Sequence, residues 1–222
     1  MHPILFKSYT KIHGIMKMIK QGAEAKIFLD KIGNQNVIIK DRIKKNYRIK
    51  QIDEKIRKIR TSLEYNLITE ARRAGVPTPK IFEINKKNHK IVMEYIEGET
   101  IKELLNKSDK KTLEKISFKI GKLTGKLHAR GIIHGDLTTS NMILKYRDIY
   151  FIDFGLGFFS RKIEDQGTDL RLLLEALKST HFKILDLCWK NIVKGYKEEY
   201  ENTEQVLKKM EEIQKRARYM KR

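Results

Sequence analysis

The chain has 222 residues, with 48 Lys and Arg against 28 Asp and Glu, a formal net charge of +20. At 40% hydrophobic residues it is too apolar for a disordered polyelectrolyte, and it is too long for a disulfide-stapled mini-protein. Its one cysteine, Cys188, excludes an internal disulfide and a cysteine-cluster metal site, and reads as a small buried hydrophobe.

No apolar run reaches the roughly 20 residues of a membrane span. The opening MHPILFKSYTKIHGIMKMIK is broken by His, Lys and Ser, so neither an anchor nor a signal peptide is expected, and residues 1–15 read as a leader or linker. β-type runs at Lys26–Leu29 and Val37–Lys40 flank a turn carrying Gly33 and form a hairpin. Residues 40–60 are the most basic stretch of the front half. Ile52, Ile56, Ile59, Leu63 and Leu67 recur at helical spacing, which predicts an amphipathic helix to about Ala74, stopped by Gly75 ahead of Pro77 and Pro79. Ile81–Ile84 and Ile91–Tyr95 read as strands around a polar turn. A second helix from Ser108 to Gly131 carries Leu113, Ile116, Ile120, Leu123 and Leu127 on one face. Met142–Leu144 and Ile149–Ile152 make a small hairpin, and the chain beyond Thr168 is helical into the basic end IQKRARYMKR. The order gives an α+β, two-lobed layout: a strand-rich lobe over 16–96, a helical lobe over 97–212 and a basic tail over 213–222.

The chemistry concentrates in HGDLTTSN, residues 134–141, and IDFG, residues 152–155, on either side of that hairpin. These residues resemble protein kinases: an Asp with an Asn five positions later, then Asp-Phe-Gly seventeen positions after the first Asp. Phosphoryl transfer needs one carboxylate at the acceptor hydroxyl, while a carboxamide and a second carboxylate hold Mg²⁺ on the triphosphate of ATP. The resemblance makes Asp136 the catalytic Asp and Asn141 and Asp153 the metal ligands. His134 becomes a structural residue beneath the Asp-Phe-Gly turn. VIIK ends on Lys40, which resembles the lysine on the α and β phosphates. That lysine needs a carboxylate on the long helix, and Glu64 is preferred over Glu70. IVMEYIEGE resembles a kinase hinge, with Met93 as gatekeeper and the Glu94 carbonyl and Ile96 amide placed to meet adenine. The six histidines show no metal-binding spacing, and zinc is not expected.

Three departures narrow the family. KQGAEAKI stands where kinases carry a glycine-rich loop, so Gly22, Ala23, Glu24, Ala25 and Lys26 are the candidate phosphate contacts, mainly through backbone amides. Gly135 replaces the Arg that pairs with an activation-loop phosphate, which argues against that mode of control. No Ala-Pro-Glu motif follows Gly155, and too little chain remains for the usual peptide platform. GAEA, RTSLE at 60–64, HGDLTTSN and IEDQGTDLRLLLEAL at 163–177 together resemble the PRPK-type small atypical kinases of the KEOPS complex, over roughly residues 16–222.

That resemblance implies a kinase-like fold with a reduced C-terminal lobe and a cytoplasmic Mg-ATP-dependent Ser/Thr kinase and ATPase capable of autophosphorylation. It implies work beside the transferase that installs threonylcarbamoyladenosine in tRNA, with other KEOPS subunits as partners. Asp169 takes the place of the Asp that holds the catalytic-loop backbone. Lys215, Arg216, Arg218, Lys221 and Arg222 form a tail for the transferase and tRNA, and residues 1–15 resemble a linker left from a fusion. The +20 charge fits tRNA, and fits a Lys-rich genome or adaptation to heat equally well. Two alternatives stand: a small-molecule phosphotransferase of the aminoglycoside or choline type, and a pseudokinase-like basic scaffold binding tRNA or protein.

Overall fold

A computed structural model describes residues 16–219. The leader at 1–15, Lys221, Arg222 and the side chain of Arg218 lie outside the described residues. The chain divides into two compact units: residues up to Thr61 with Lys80–Tyr95, and Ser62–Pro79 with the chain from Ile96 onward.

The first unit is an antiparallel sheet. Its strands are β1 (Lys17–Gln21), β2 (Ala25–Ile32) and β3 (Gln35–Arg42), followed, after the start of helix α1 (Lys50–Arg73), by β4 (Ile81–Asn85) and β5 (Lys90–Glu94). Their spatial order is β1-β2-β3-β5-β4. β2 and β3 pair from Ala25 with Arg42 to Ile32 with Gln35, which leaves Gly33-Asn34 as a two-residue hairpin turn with Gly33 at φ 59°. Val37, Ile39 and Val92 form the core of this sheet, with Phe28, Ile32 and Phe82 packed on it. β1 escapes the sequence reading because it is exposed along its whole length and has no burial alternation to detect.

The first turns of α1 correct the sequence reading. The spacing predicts Ile52, Ile56 and Ile59 on the buried face, yet Ile52 and Ile59 are 51% and 54% exposed while Asp53 and Thr61 are buried. The physical reason is a polar anchor: Asp53 accepts hydrogen bonds from Arg57 Nε at 2.7 Å and from the Lys45 amide at 3.3 Å. A buried carboxylate with these partners fixes the rotation of the helix more firmly than two isoleucines do.

In the second unit the rest of α1 is followed by β6 (Glu99–Thr100), α2 (Ile101–Leu105), α3 (Lys110–Ala129), β7 (Ile132–Ile133), β8 (Met142–Lys145), β9 (Asp148–Phe151) and β10 (Phe158–Phe159). Three helices complete it: α4 (Ile163–Thr180), α5 (Leu185–Glu199) and α6 (Thr203–Tyr219). β6, β8 and β9 form one small antiparallel sheet, and β7 pairs with β10. Helix α3 starts where Asp109 caps it, its carboxylate accepting from the Thr112 amide at 2.7 Å. Leu170, Leu174, Tyr196, Val206 and Met210 join α4, α5 and α6 in one core. Among the described residues no helix is long and apolar enough to cross a membrane.

Helices α3 and α5 meet backbone to backbone. A Cβ on Gly121 would lie 1.9 Å from the Ile192 carbonyl oxygen, and one on Gly195 would lie 2.0 Å from that of Phe118. Neither obstacle is a side chain that can swing away, so the helices themselves would have to separate. Gly121→Ala should therefore destabilise the fold by about 2–3 kcal/mol, the upper part of the overpacking range. Urea unfolding at constant slope would measure this, and an unchanged midpoint would contradict the packing argument.

Candidate active site

The residues of the HGDLTTSN loop are held by a buried scaffold within the second unit. β7 delivers the chain to His134 and Gly135, and a 3₁₀ turn at Thr139–Asn141 carries it into β8. Asp169, on α4, is buried and takes both backbone amides at the start of the loop: His134 N–H donates to Oδ2 at 2.8 Å and Gly135 N–H to Oδ1 at 2.9 Å. His134 is buried as well, and its ring packs on Phe154 of the Asp-Phe-Gly turn at a centroid distance of 4.5 Å. Its Nε2 lies 3.1 Å from the Ile152 carbonyl and its Nδ1 lies 3.3 Å from the Asp136 amide nitrogen. A carbonyl can only accept and an amide N–H can only donate, so this histidine is the neutral Nε2–H tautomer. One ring thus ties the loop to the strand that leads into Asp153.

Burial drives the His134 imidazole well below its ordinary value of 6.5, against the pull of Asp169, Asp153 and Asp136. Burial, aided by Lys102, also lowers His181. Such a group is neutral in the folded chain while the unfolded chain binds a proton near pH 6.5. Its contribution to stability is therefore fully present above 6.5 and lost as pH falls below that value. Melting temperatures measured from pH 8 to pH 5 should be level above 6.5 and decline below it; a level profile throughout would mean that the buried rings are charged.

Asp136 and Asn141 are brought together directly. Asn141 Nδ2 donates to Asp136 Oδ2 at 2.8 Å and to the Asp136 carbonyl at 3.0 Å. Both partners are acceptors, so the amide end of Asn141 is fixed against Asp136 and its Oδ1 is turned to the other side. The Ile152 amide donates to the Asn141 carbonyl at 3.0 Å, binding the 3₁₀ turn to the segment before Asp153. Asp153 is exposed and sits at φ 62°, a left-handed conformation that Asp tolerates better than most residues, with the Gly155 amide donating to Oδ1 at 3.3 Å. A carboxamide oxygen and a carboxylate are hard oxygen donors of the kind magnesium takes alongside phosphate and water. Among the described residues no group of three or more His, Cys, Asp or Glu gathers to hold a metal.

Gly135 has a steric reason beyond the missing arginine. It lies at φ 77°, and a Cβ there would stand 2.3 Å from the Leu156 carbonyl oxygen. No side chain fits between this loop and the segment after Asp-Phe-Gly.

In the first unit Lys40 lies in β3 opposite Ile27 and Ile91, and its side chain is buried. Gly22, Ala23 and Glu24 form the β1–β2 turn, closed by the Gly22 amide on the Ala25 carbonyl at 2.9 Å, and Lys26 follows in β2. Glu94 ends β5, where its amide donates to the Lys80 carbonyl at 2.8 Å. Ile96, the first residue of the second unit's long segment, is buried. The two helix glutamates differ: Glu64 is buried, whereas Glu70 lies at the surface in an ion pair with Arg73.

Sequence reasoning misses three side chains that hold this loop. His128, at the end of α3, places Nε2 3.3 Å from Asp169 Oδ2 and Nδ1 2.8 Å from the Tyr196 hydroxyl of α5. The buried run Tyr196–His128–Asp169 thus braces the loop from behind. His181 does the same at the other end, with Nδ1 2.8 Å from Asn106 Oδ1 and Nε2 3.3 Å from Thr139 Oγ1. For His128 the available signal was its place at a helix end shortly before HGD; Tyr196 and His181 carried none.

Residues 19–157 match the RIO domain. The chain belongs to the RIO domain family. Within this family of atypical kinases it is 48% identical over 215 residues to the KEOPS complex subunit Bud32 of Pyrococcus abyssi (strain GE5 / Orsay), covering 93% of this chain and 98% of that one. It is 45% identical to a probable bifunctional tRNA threonylcarbamoyladenosine biosynthesis protein of Methanosarcina acetivorans, over 90% of this chain. The corresponding protein of Methanocaldococcus jannaschii is 41% identical over 91% of this chain. This chain spans 35% and 37% of those two longer proteins. Two solved structures share the fold at a TM-score of 0.65. The Rio2 kinase of Chaetomium thermophilum, in an ADP/Mg²⁺-phosphoaspartate complex, is 13% identical, with 94% of this chain and 72% of that one covered. WaaP, in complex with acyl carrier protein, is 12% identical, with 91% and 89% covered. The RIO domain chain described here thus has the protein-kinase-like fold that its motifs resemble.

Proposed function

We propose that this RIO domain protein is a Mg-ATP-dependent phosphotransferase and ATPase of the Bud32 type, serving threonylcarbamoyladenosine modification of tRNA in the cytoplasm. The observation that carries the reading is the Asp136–Asn141 clamp, at 2.8 Å, suspended from Asp169 in a chain 48% identical to a KEOPS subunit along nearly its whole length. Asp136 orients the acceptor, a water or a Ser/Thr hydroxyl, and receives its proton on the carboxylate. Asn141 fixes the rotamer of Asp136 with one end and offers Oδ1 to the cation with the other, together with the Asp153 carboxylate. Lys40 contacts the phosphates and Glu64 is its carboxylate partner, a choice favoured by the surface position of Glu70. The Glu94 carbonyl and the Ile96 amide meet adenine.

The residues fit the triphosphate at Gly22. A Cβ there would meet nothing nearer than the Ala25 carbonyl oxygen at 3.6 Å, so the fold itself does not demand a glycine and its bare backbone leaves room for a phosphate. The cation, when bound, neutralises charge on the transferring phosphoryl group.

Partner binding is supported by surface on both units. The outward Ile52 and Ile59 of α1 are an apolar stripe without cover in the described chain. The basic end begins as the last turns of α6, where Arg216 pairs with Glu164 at 2.9 Å beside Lys215. Such a surface suits other KEOPS subunits and tRNA. ATP turnover by the purified chain with Mg²⁺, alone and with its cognate threonylcarbamoyl transferase and tRNA, tests the reading when phosphate release and phosphoprotein are scored separately. Phosphate release that rises with the partner is the expected result. No turnover under any condition would overturn the assignment in favour of a scaffold.

A further inference from the structure

The β1–β2 loop lacks the flexible glycine-rich sequence that lets kinase loops mould to a triphosphate, so its position has to be set from outside. The structure shows three ties, all within the first unit. The carboxylate of Glu24 is shared between two guanidinium groups, Oε1 3.5 Å from Arg48 Nη2 and Oε2 3.6 Å from Arg60 Nη1. Its backbone carbonyl accepts from the Ile43 amide at 3.3 Å. The Lys45 ammonium donates to the carbonyl of Ala23. Arg48 is itself held, with Nη1 3.7 Å from Asp53 Oδ1, while Arg57 Nε and the Lys45 amide donate to the same carboxylate. Burial alone would push the Asp53 carboxyl up; the bonds from Arg57 and Lys45, with the charges of Arg57 and Arg48, overcome it and hold the group below the usual carboxylate value. The anchor is therefore charged at neutral pH.

We propose that Glu24 is a positioning residue that straps the phosphate loop to α1 through Arg48 and Arg60, so that GAEA and RTSLE act as one device. This rests on the nucleotide-binding reading above and changes one part of it: the Glu24 side chain does not touch phosphate. A lone surface ion pair fixes little, but here one carboxylate bridges the segment before α1 and the helix itself, and two backbone ties act beside it. The Glu24 carboxylate can bridge both because it offers one oxygen to each of two separate arginines. Arg60 opens the RTSLE segment, so the strap sets the loop relative to the part of α1 that belongs to the same unit.

Glu24→Gln separates positioning from plain charge by sign. Removing a negative charge beside Arg48, Arg60 and Lys45 would, by electrostatics alone, tighten binding of an anion such as ATP. Loss of the strap predicts the reverse: ATP affinity falling about five- to tenfold, with faster hydrogen exchange at the amides of residues 22–25 in the nucleotide-free chain. The double exchange Glu24→Arg with Arg60→Glu should recover part of both. Unchanged exchange, or ATP binding that is equal or tighter in Glu24→Gln, would overturn the strap. A parent chain that binds no ATP would instead overturn the nucleotide reading, while the exchange rates of residues 22–25 would still decide whether the strap holds the loop.

Discussion

Asp136→Ala should lower ATP turnover by about 10²- to 10⁴-fold, the range for loss of one positioned acid-base group, and leave the fold intact. The two halves of this expectation have separate causes. The rate falls because the proposed acceptor carboxylate, whose rotamer the Asn141 carboxamide pins, is lost. The fold survives because Asn141 Nδ2 keeps its bond to the Asp136 carbonyl at 3.0 Å, and the one N–H that loses Oδ2 lies beside a half-buried position. The Asp136 amide keeps its bond to His134 Nδ1 for the same reason. Turnover and thermal melting of the same preparation would check both, and a parental rate in the alanine variant would remove Asp136 from the chemistry. Asp153→Ala acts on a different term: it leaves the acceptor side in place and takes a carboxylate from the cation. A variant that kept the full Mg²⁺ dependence of the parent would move the metal elsewhere.

Much of this architecture was legible because the signals were local. HGDLTTSN and IDFG bracket the short hairpin of β8 and β9, joined by the two-residue turn Tyr146-Arg147, and turn residues at fixed offsets leave few ways to fold, so the sequence alone put Asp136 and Asn141 just before one hairpin and Asp153 just after it. The kinase-like α+β class was legible for the same reason, since Gly75 with the prolines after it, and Gly131, end the two long helices where the chain must turn. What could not be read depends on tertiary partners. Helical periodicity records that Ile52 and Ile59 share a face with Ile56 but not that Asp53, with Arg57 and Lys45, turns that face outward. The contact of Gly121 with the Ile192 carbonyl, or of His128 with Tyr196, joins residues about 70 positions apart, and nothing at either position announces the other. β1 and α2 are short and carry no periodic pattern, so neither could be separated from loop. The loop-bracing histidines share one trait: each sits at the end of a helix and reaches the residues that hold the HGDLTTSN loop only once α3, α4 and α5 are packed.

Asp169→Ala should be the most damaging single change in the second unit, by about 3–5 kcal/mol of stability and with loss of measurable turnover. The carboxylate accepts from His134 N–H at 2.8 Å and Gly135 N–H at 2.9 Å, with His128 Nε2 at 3.3 Å, and is itself buried. Alanine leaves these donors without their buried acceptor, and each unsatisfied buried group costs about 1–3 kcal/mol. Both amides belong to the segment that sets the φ of Gly135 and so the direction in which Asp136 leaves the loop. Asp169→Asn separates stability from function. The amide has the same shape and still accepts through one oxygen, but its NH₂ faces one of the two backbone N–H groups, so the stability loss should be roughly half that of alanine. Turnover should nevertheless fall by at least tenfold, because one loop amide is pushed away and Asp136 moves with it. The informative comparison is kcat against the KM for ATP in the asparagine variant. A loop displaced at the acceptor side lowers kcat and spares KM, whereas a general loosening of the helices would lower the melting temperature and leave the kcat of the folded fraction near that of the parent.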